Sequence, residues 1–420
     1  MEPPPKNAPA PLRRGVYATS LLGLPRLYWI LWVGQFINRL GSFVLTFLPL
    51  FLTERHRYSD ARAGAVLSLY GLGGLFGASL GGWASDRYGR RVTMLVALVA
   101  SAAVLLAFGV APAGALLAGA AFAHGVCNGY GPALSASLAD VVTVEDRARA
   151  FGYFYWAVNL GFTVAACAGG ALSRHGFFTL FAGDAVTSLA FAAIVYAFVP
   201  ETRPEHGASK EAPGVASSFR VLVDPRFAGF GAAQFLVLIV FLQVFVTMPL
   251  QERASGIAVS SVGLIAALNG GVIVTAQPLF SRWTRAQSSW RLLALACALV
   301  GIGALGATRA STTAGFSACM VLVSLGEVAF AGAAPTFVAL VAPVDRRGTW
   351  QGAYSLTWAG ASLLAPLLGT AARQHLGAPT MWRLGVASCA LAGVLHATLT
   401  RSAERAASAS PSPAHLGRNA

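Results

Sequence analysis

Long apolar runs follow one another along almost the whole chain and are separated by short polar segments. Each run is about long enough to cross the ~30 Å hydrocarbon core of a bilayer as an α-helix. The runs lie at 27–51, 61–83, 92–111, 113–139, 149–172, 177–199, 228–250, 260–281, 291–308, 313–341, 350–371 and 380–400. This pattern predicts an all-α integral membrane protein with about twelve transmembrane helices.

Composition removes several other classes of protein. Of the 420 residues, 56% are hydrophobic and 11% are charged, which excludes an ordinary soluble protein. The formal net charge is +14, but the basic residues form no continuous patch, so we expect no nucleic-acid partner. The five cysteines all fall inside apolar runs, which predicts neither disulfides nor a metal site. No nucleotide-binding or catalytic motif is present, so we expect no cofactor and no enzymatic activity.

Lysine and arginine are distributed unevenly between the two sides of the predicted membrane. About 21 of the 30 basic residues fall on the side that holds both termini, and about 8 fall on the other. Basic residues in short loops favour the cytoplasmic side. We therefore expect a multi-pass protein of the cell's inner (plasma) membrane with both termini in the cytoplasm.

The chain also divides into two similar halves. Several residues recur at an offset of about 200, as when Gln35-Phe36 is matched by Gln234-Phe235, and parallel repeats of this kind occur in transporters. A polar, proline-containing segment separates the halves. The predicted divisions are a disordered cytoplasmic tail at 1–25, a six-helix bundle at 26–200, a cytoplasmic linker at 201–226, a second six-helix bundle at 227–401 and a disordered cytoplasmic tail at 402–420.

A short basic loop, residues 82–91, joins the second and third runs. It combines glycines that permit close packing and a sharp turn with one carboxylate and three arginines at the membrane edge. The sequence resembles the signature loop G-x-L-A-D-R-x-G-R-[KR] of the major facilitator superfamily. The residues that fit are Gly82, Asp86, Arg87, Gly89, Arg90 and Arg91. Leu138-Ala139-Asp140 and Gly326-Glu327 extend the resemblance to the drug:proton antiporter-like branch.

The resemblance carries three implications. Its fold is two repeats of six helices, in which the first, fourth, seventh and tenth helices line a central cavity. It implies that Asp86, Arg90 and Asp140 form a cytoplasmic charge cluster that stabilises the state closed on that face. It also implies transport by alternating access.

Four ionisable side chains lie well inside the apolar runs, namely Arg39, His124, Asp184 and Glu327. An ionisable group at this depth is costly unless it faces water, the bundle interior or a partner, so each is a candidate for substrate binding or coupling. His124 can instead bond a backbone carbonyl. Asp184, in a helix that is usually peripheral in this fold, can instead belong to a structural pair.

Polar residues at helical spacing add to these candidates. Gln35, Arg39, Ser42 and Thr46 fall on one predicted face of the first helix, and His124, Asn128, Gly131 and Ser135 fall on one face of the fourth. Small polar residues also mediate helix packing, so the serines, threonines and asparagines have a structural explanation as well. Glu327 is expected to be a lone carboxylate on an apolar face, and Trp358 either lines the cavity or packs. The sequence thus predicts an amphiphilic cavity.

These observations favour a secondary active transporter that exports a small amphiphilic compound or drug in exchange for protons. The expected partners are the small-molecule substrate, protons and the lipid bilayer, and the chain is expected to act as a monomer. An uptake symporter or facilitator for a nutrient is an alternative, because Ala165-Ala166 replaces the Gly-Pro of the antiporter motif in the fifth helix. A non-transporting membrane receptor or scaffold on the same fold is the alternative from another class.

Overall fold

The structure is a computed structural model that describes residues 21–143, 145–203, 215–285, 287–343 and 346–409. Within those ranges the chain is almost entirely helical and contains no β-strand. A backbone that crosses a bilayer must satisfy its polar groups internally, which an apolar segment does most simply as an α-helix. The predicted all-α fold class is confirmed.

The helices follow the apolar runs closely. In chain order they are α1 (Arg26–Leu40), α2 (Phe43–Leu50), α3 (Asp60–Tyr88), α4 (Arg90–Val110), α5 (Ala115–Cys127), α6 (Tyr130–Val141), α7 (Arg147–Leu172), α8 (Phe178–Phe198), α9 (Val215–Leu222), α10 (Pro225–Phe241), α11 (Gln243–Val246), α12 (Met248–Ala254), α13 (Val259–Arg285), α14 (Ser289–Ala307), α15 (Thr313–Val341), α16 (Arg347–Leu376), α17 (Ala378–Leu395) and α18 (Arg401–Ala409).

In the described part of the chain, ten helices are long and apolar enough to cross a membrane. They include Pro225–Ala254, which combines α10 to α12. The first and fourth predicted spans are each two shorter helices in succession, α1 with α2 and α5 with α6. Large apolar side chains such as Val96, Val110 and Leu279 point outward with 65%, 70% and 77% exposure, as lipid-facing positions require. The protein is a multi-pass membrane protein.

The chain forms two compact units. Unit 1 contains the described residues of Met1–Val44 and Leu72–Ala208, and unit 2 contains those of Leu45–Gly71 and Ser209–Ala420. The predicted division into bundles at 26–200 and 227–401 stays a prediction, because these units cut the chain elsewhere. Residues 45–71, from the N-terminal half of the sequence, belong to unit 2.

The core of unit 1 is apolar and is built where α1 packs against α7 and α8, and α4 packs against α8. Tyr28, Leu98, Leu134 and Phe191 are fully or almost fully buried there. The Tyr28 hydroxyl donates to the Ala150 carbonyl at 2.8 Å, so the one polar atom of this side chain is satisfied inside the core.

Unit 2 holds segment 45–71 through polar contacts. Arg373 of α16 forms an ion pair with Asp60 at the start of α3, and the Ala61 N–H donates to Gln374 Oε1 at 2.9 Å. Arg253 of α12 pairs with Glu54 at 2.5 Å. The ends of α12 and α16 therefore bind the segment that joins α2 to α3.

The predicted tails and linker are partly outside the described residues. Residues 1–20, 204–214 and 410–420 are in that category. The prediction of disorder for the C-terminal tail is wrong for residues 402–409, which belong to α18. Their helix is stabilised by a contact with the rest of unit 2, because Glu404 bonds to the start of α14. Within the predicted linker, residues 215–222 form α9.

Candidate substrate and coupling site

Arg39 is held in unit 1 by a chain of hydrogen bonds that joins three helices. Its Nη2 donates to the Tyr130 hydroxyl of α6 at 2.8 Å. Tyr130 donates in turn to Asn38 Oδ1 at 2.8 Å, and Asn38 Nδ2 donates to Ser188 Oγ of α8 at 3.2 Å. The guanidinium is thus fixed in one orientation within the helical bundle.

The two helices that carry the predicted polar stripes are both broken beside the candidate residues. The first span is interrupted at Gly41-Ser42 and the fourth at Asn128-Gly129. A Cβ at Gly41 would overlap the side chain of Thr187 and the backbone of Asp184, so only glycine permits this close approach of α8. Irregular backbone at membrane depth is tolerated where it is buried in protein or lines a cavity.

The breaks change the predicted stripes. Gln35 and Arg39 share one face of α1, but Ser42 lies in the interruption and Thr46 belongs to α2. The prediction of a single face from residue 35 to residue 46 was made for one continuous helix, and the structure divides that helix in two. The same holds for the fourth helix, where the interruption separates His124 from the later members of its stripe.

Arg39, His124 and Asp184 lie close together. His124 and Asp184 are buried, with 7% and 8% exposure, and the charge of Arg39 acts on both of them. The positive charge of Arg39 favours a negative charge on Asp184 and opposes a positive charge on His124. The structure therefore brings together three of the four ionisable candidates, in unit 1.

Gln35 and Asn128 extend this polar region. Gln35 is 2% exposed, and its Oε1 is buried without a hydrogen-bond partner among the described residues. Asn128 is half-buried in the interruption of the fourth span, and its Nδ2 donates to the His124 carbonyl at 3.4 Å. An unused buried acceptor is costly unless something donates to it.

Glu327 lies in unit 2, in the middle of α15. It was expected to be a lone carboxylate, but its Oε2 accepts from Asn269 Nδ2 of α13 at 2.7 Å. Asn269 also donates to Ser324 Oγ at 3.1 Å. Trp358 Nε1 of α16 donates to the Tyr354 hydroxyl at 2.9 Å, and the charge of Glu327 acts on Tyr354.

The surroundings of these polar groups are aromatic. The rings of Phe241 and Phe330 each lie 6.1 Å from the ring of Trp358, and they pack edge to face with each other at 5.5 Å. Unit 2 thus combines one carboxylate with an apolar aromatic wall. Trp358 both packs against this wall and presents a polar edge to Tyr354.

The segment 82–91, predicted to be a loop, is helical except at Gly89, because α3 runs to Tyr88 and α4 begins at Arg90. Its side chains form a charge cluster within unit 1. Arg90 Nη1 pairs with Asp86 Oδ1 at 2.8 Å, and Arg90 Nε pairs with Asp140 Oδ2 of α6 at 3.3 Å. Asp86 and Asp140 are therefore linked through one guanidinium. Arg203 Nη1 donates to the carbonyls of Asp86 and Arg87 at 3.0 and 2.7 Å, which ties the loop to the chain that follows α8.

Glu201 caps the N-terminus of α4 with its carboxylate. Its Oε1 accepts from the N–H of Arg90 at 2.9 Å and its Oε2 from the N–H of Arg91 at 3.2 Å. Gly89 has φ of +103°, and a Cβ there would overlap the Glu201 carboxylate. Glycine is required for both reasons. A carboxylate at this position also interacts favourably with the positive end of the helix.

Unit 2 repeats this arrangement. Glu404 of α18 accepts from the N–H of Ser289 and of Trp290 at 3.0 Å each. Ser289 and Trp290 begin α14, which follows α13 as α4 follows α3. The offset of about 200 residues seen in the sequence therefore reappears as the same contact in each half.

The structure also shows polar contributors that the sequence pattern did not reveal. Asn38 and Tyr130 hold Arg39, Asn269 holds Glu327, and Glu201 holds the loop. Glu252 is 1% exposed in α12 and was missed because the apolar run was ended at residue 250. Extending that run by one helical turn would have found it.

The fold and these sites together indicate the class of protein. A bundle of membrane helices, with interrupted helices beside buried charged residues, is the architecture of a secondary transporter. The sequence model of the Major Facilitator Superfamily matches residues 31–366. The chain belongs to that superfamily, and it is a transporter and not an enzyme.

Two curated relatives cover much of the chain. The Na(+), Li(+), K(+)/H(+) antiporter of Planococcus maritimus is 24% identical over 370 residues, which are 80% of this chain and 87% of that protein. Multidrug resistance protein 1 of Bacillus subtilis (strain 168) is 27% identical over 274 residues, which are 61% of this chain and 66% of that protein.

A solved structure has the same fold. The crystal structure of a POT family transporter in complex with 5-aminolevulinic acid superposes with a TM-score of 0.77 at 16% identity, covering 92% of this chain and 98% of that one. The predicted superfamily and its fold are therefore confirmed.

Proposed function

We propose that this transporter exports a small amphiphilic compound in exchange for protons by alternating access. The observation that carries the proposal is Glu327, a carboxylate in the middle of a membrane helix that accepts from Asn269 and lies near Tyr354. The amide supports the charged form, and loss of that contact would favour the protonated form. Such a group can bind and release a proton as its surroundings change.

Each unit offers its own kind of surface for an amphiphilic compound. Within unit 1, Arg39, His124 and Asp184, with the unused acceptor of Gln35, suit polar groups. Within unit 2, the aromatic residues around Trp358 suit apolar groups. The two relatives, a multidrug resistance protein and a cation/proton antiporter, are compatible with drug export and with proton exchange, respectively.

The charge cluster of Asp86, Arg90 and Asp140 is proposed as a gate on the cytoplasmic side. Ion pairs at a junction between helix and loop bias an equilibrium between two conformations without touching the substrate. The proposed orientation places both termini in the cytoplasm and the protein in the inner (plasma) membrane, as a monomer.

Transport by purified protein in proteoliposomes tests the proposal. With ethidium as the probe and a pH gradient imposed, wild-type protein should accumulate the dye on the acidic side, and Glu327→Gln should not. Glu145→Gln, which removes an exposed carboxylate, is the matched control and should behave as wild type. Parallel measurements with tetracycline and with Na⁺ test the other substrate classes.

Each alternative function has its own outcome in this assay. Movement of the probe in the same direction as protons would identify an uptake symporter. Flux that ignores the pH gradient would identify a facilitator. A receptor or scaffold would show no flux of any probe.

A further inference from the structure

Glu252 is a buried carboxylate that the proposed transport mechanism does not use. It lies in α12, at the end of the candidate span Pro225–Ala254, and it is 1% exposed. Both carboxylate oxygens are buried and have no hydrogen-bond partner among the described residues. Glu252 and Glu327 therefore differ, because Glu327 has an amide donor.

The neighbours of Glu252 on the same helix are committed to other contacts. Gln251 Nε2 donates to the Ala307 carbonyl at 3.0 Å, and its Oε1 accepts from Trp382 Nε1 at 2.6 Å. The Arg253 guanidinium is directed to Glu54 at 2.5 Å and to the Ile257 carbonyl at 2.6 Å. Because Glu54 and the Ile257 carbonyl occupy its guanidinium, Arg253 leaves Glu252 without a counter-charge in this conformation.

The other charged and titratable groups around this end of unit 2 do not compensate either. Cys319 of α15 is near enough to feel a charge on Glu252, but it is a neutral, buried thiol. Arg373 of α16 pairs with Asp60, and Arg309 after α14 is exposed. On segment 45–71, burial and the neighbouring Arg55 lower the pKa of His56, which disfavours a positive charge there too.

A polar cavity reaches this part of α12. It has a volume of about 530 Å³ and is lined by Leu50, Thr53, Glu54, Arg57, Asp60, Leu250, Arg253 and Arg373. Leu250 and Arg253 flank the pair Gln251-Glu252 in the sequence. The cavity thus reaches α12 on both sides of Glu252 in the sequence, while Glu252 itself is buried and is not one of the lining residues.

An ionised carboxylate without partners inside a membrane protein is several kcal/mol less favourable than the neutral acid. We propose that Glu252 is a proton-binding site, occupied in the conformation described here, which releases its proton to water when Glu54 separates from Arg253. The acid O–H bond breaks, the proton passes to a water molecule, and the carboxylate remains. Arg253, no longer paired with Glu54, then supplies the positive charge that the carboxylate requires.

This site is distinct from Glu327 and does not depend on Glu327 carrying the coupling proton. It links protonation to the contact between α12 and segment 45–71. Opening of that contact and loss of the proton become one event, which is how a transporter can make a conformational change depend on pH.

Infrared spectroscopy of the full chain in lipid membranes tests the site without any substrate. At neutral pH the wild-type spectrum should contain the carbonyl stretch of a protonated carboxylic acid, and Glu252→Gln should lose that one component. Glu145→Gln should retain it. Glu252→Leu, which also lacks the acid, is the second variant in case the glutamine is poorly folded. An acid band that is equal in wild type and in both Glu252 variants would overturn the proposal.

The link to segment 45–71 has its own variant. Glu54→Gln removes the partner of Arg253 while keeping the shape of the side chain, so the Glu252 acid band should decrease at neutral pH. In the double variant Glu54→Gln with Arg253→Gln, the acid band should not decrease. No arginine is then available to stabilise the ionised carboxylate of Glu252. An undiminished band in Glu54→Gln would disprove the link. These results are independent of whether ethidium is transported.

Discussion

The carboxylate of Glu201 offers the clearest test of how the loop at 82–91 is stabilised. It accepts three backbone N–H groups, from Arg90, Arg91 and Arg203, at 2.9, 3.2 and 2.9 Å. Glu201→Gln keeps one acceptor oxygen but replaces the other with an NH₂ group. One of the N–H groups at the start of α4 would then meet a donor instead of an acceptor.

The expected loss of stability follows from these contacts. A hydrogen bond to a charged group contributes about 1.5–3 kcal/mol, and a carboxylate at a helix N-terminus contributes about 0.3–1 kcal/mol more. Glu201 is only half-buried, so water replaces part of the lost bond. We therefore expect Glu201→Gln to reduce the free energy of unfolding by about 1–3 kcal/mol.

The assay is reversible unfolding in mixed micelles with increasing denaturing detergent, followed by circular dichroism. Glu145→Gln removes an exposed carboxylate of the same type and should change the free energy by no more than about 0.5 kcal/mol. Glu404→Gln should also lower the free energy of unfolding, because Glu404 accepts from N–H groups at the start of α14. If Glu201→Gln and Glu145→Gln unfold at the same detergent fraction, the cap does not stabilise the loop.

Three further predictions concern function and topology. Glu327→Gln should retain downhill exchange of ethidium and lose accumulation driven by a pH gradient, and accumulation at the wild-type rate would exclude Glu327 as the coupling residue. Asp86→Asn and Arg90→Ala should lower the turnover rate more than the affinity for substrate, and unchanged transport rates would leave the cluster without a gating role. The topology is tested in a variant that lacks the five native cysteines. In intact cells, a cysteine introduced at position 56 should react with a membrane-impermeant reagent, and one introduced at position 88 should not. The reverse pattern would invert the proposed orientation.

The fold could be predicted from the sequence because the lipid bilayer restricts which residues a membrane-spanning helix can contain. Each span must be apolar over about 20 residues, and this signal is local and strong. The charge cluster at 82–91 was expected from the family resemblance, and Asp86 and Arg90, one helical turn apart, do form an ion pair. Asp140 was connected to them only by family resemblance, and the structure places it on Arg90.

The interruptions of the first and fourth spans were not predictable in the same way. Gly41 and Gly129 are two of 46 glycines in the chain, and most of the others lie inside continuous helices. Gly41 is closely approached by Thr187 and Asp184, which lie far away in the sequence. Contacts of this range leave no local pattern.

The partners of the buried polar residues were hidden for the same reason. Glu327 and Asn269 are 58 residues apart, and Arg39 and Tyr130 are 91 apart. Helical spacing relates residues on one helix only. It could therefore nominate Arg39 and Glu327 as unusual, but it could not show which side chains satisfy them.

The repeated carboxylate caps bear on the order in which the chain is assembled during synthesis. Glu201 is 111 residues downstream of Arg90, and Glu404 is 115 residues downstream of Ser289. Each loop therefore stays without its cap until the ribosome has produced the last helix of its own half. Because chains fold from the N-terminus as units during translation, the first half can close its loop before the second half exists. A nascent chain that stops short of Glu201 would expose uncapped N–H groups at the start of α4, which would mark an incomplete half for quality control.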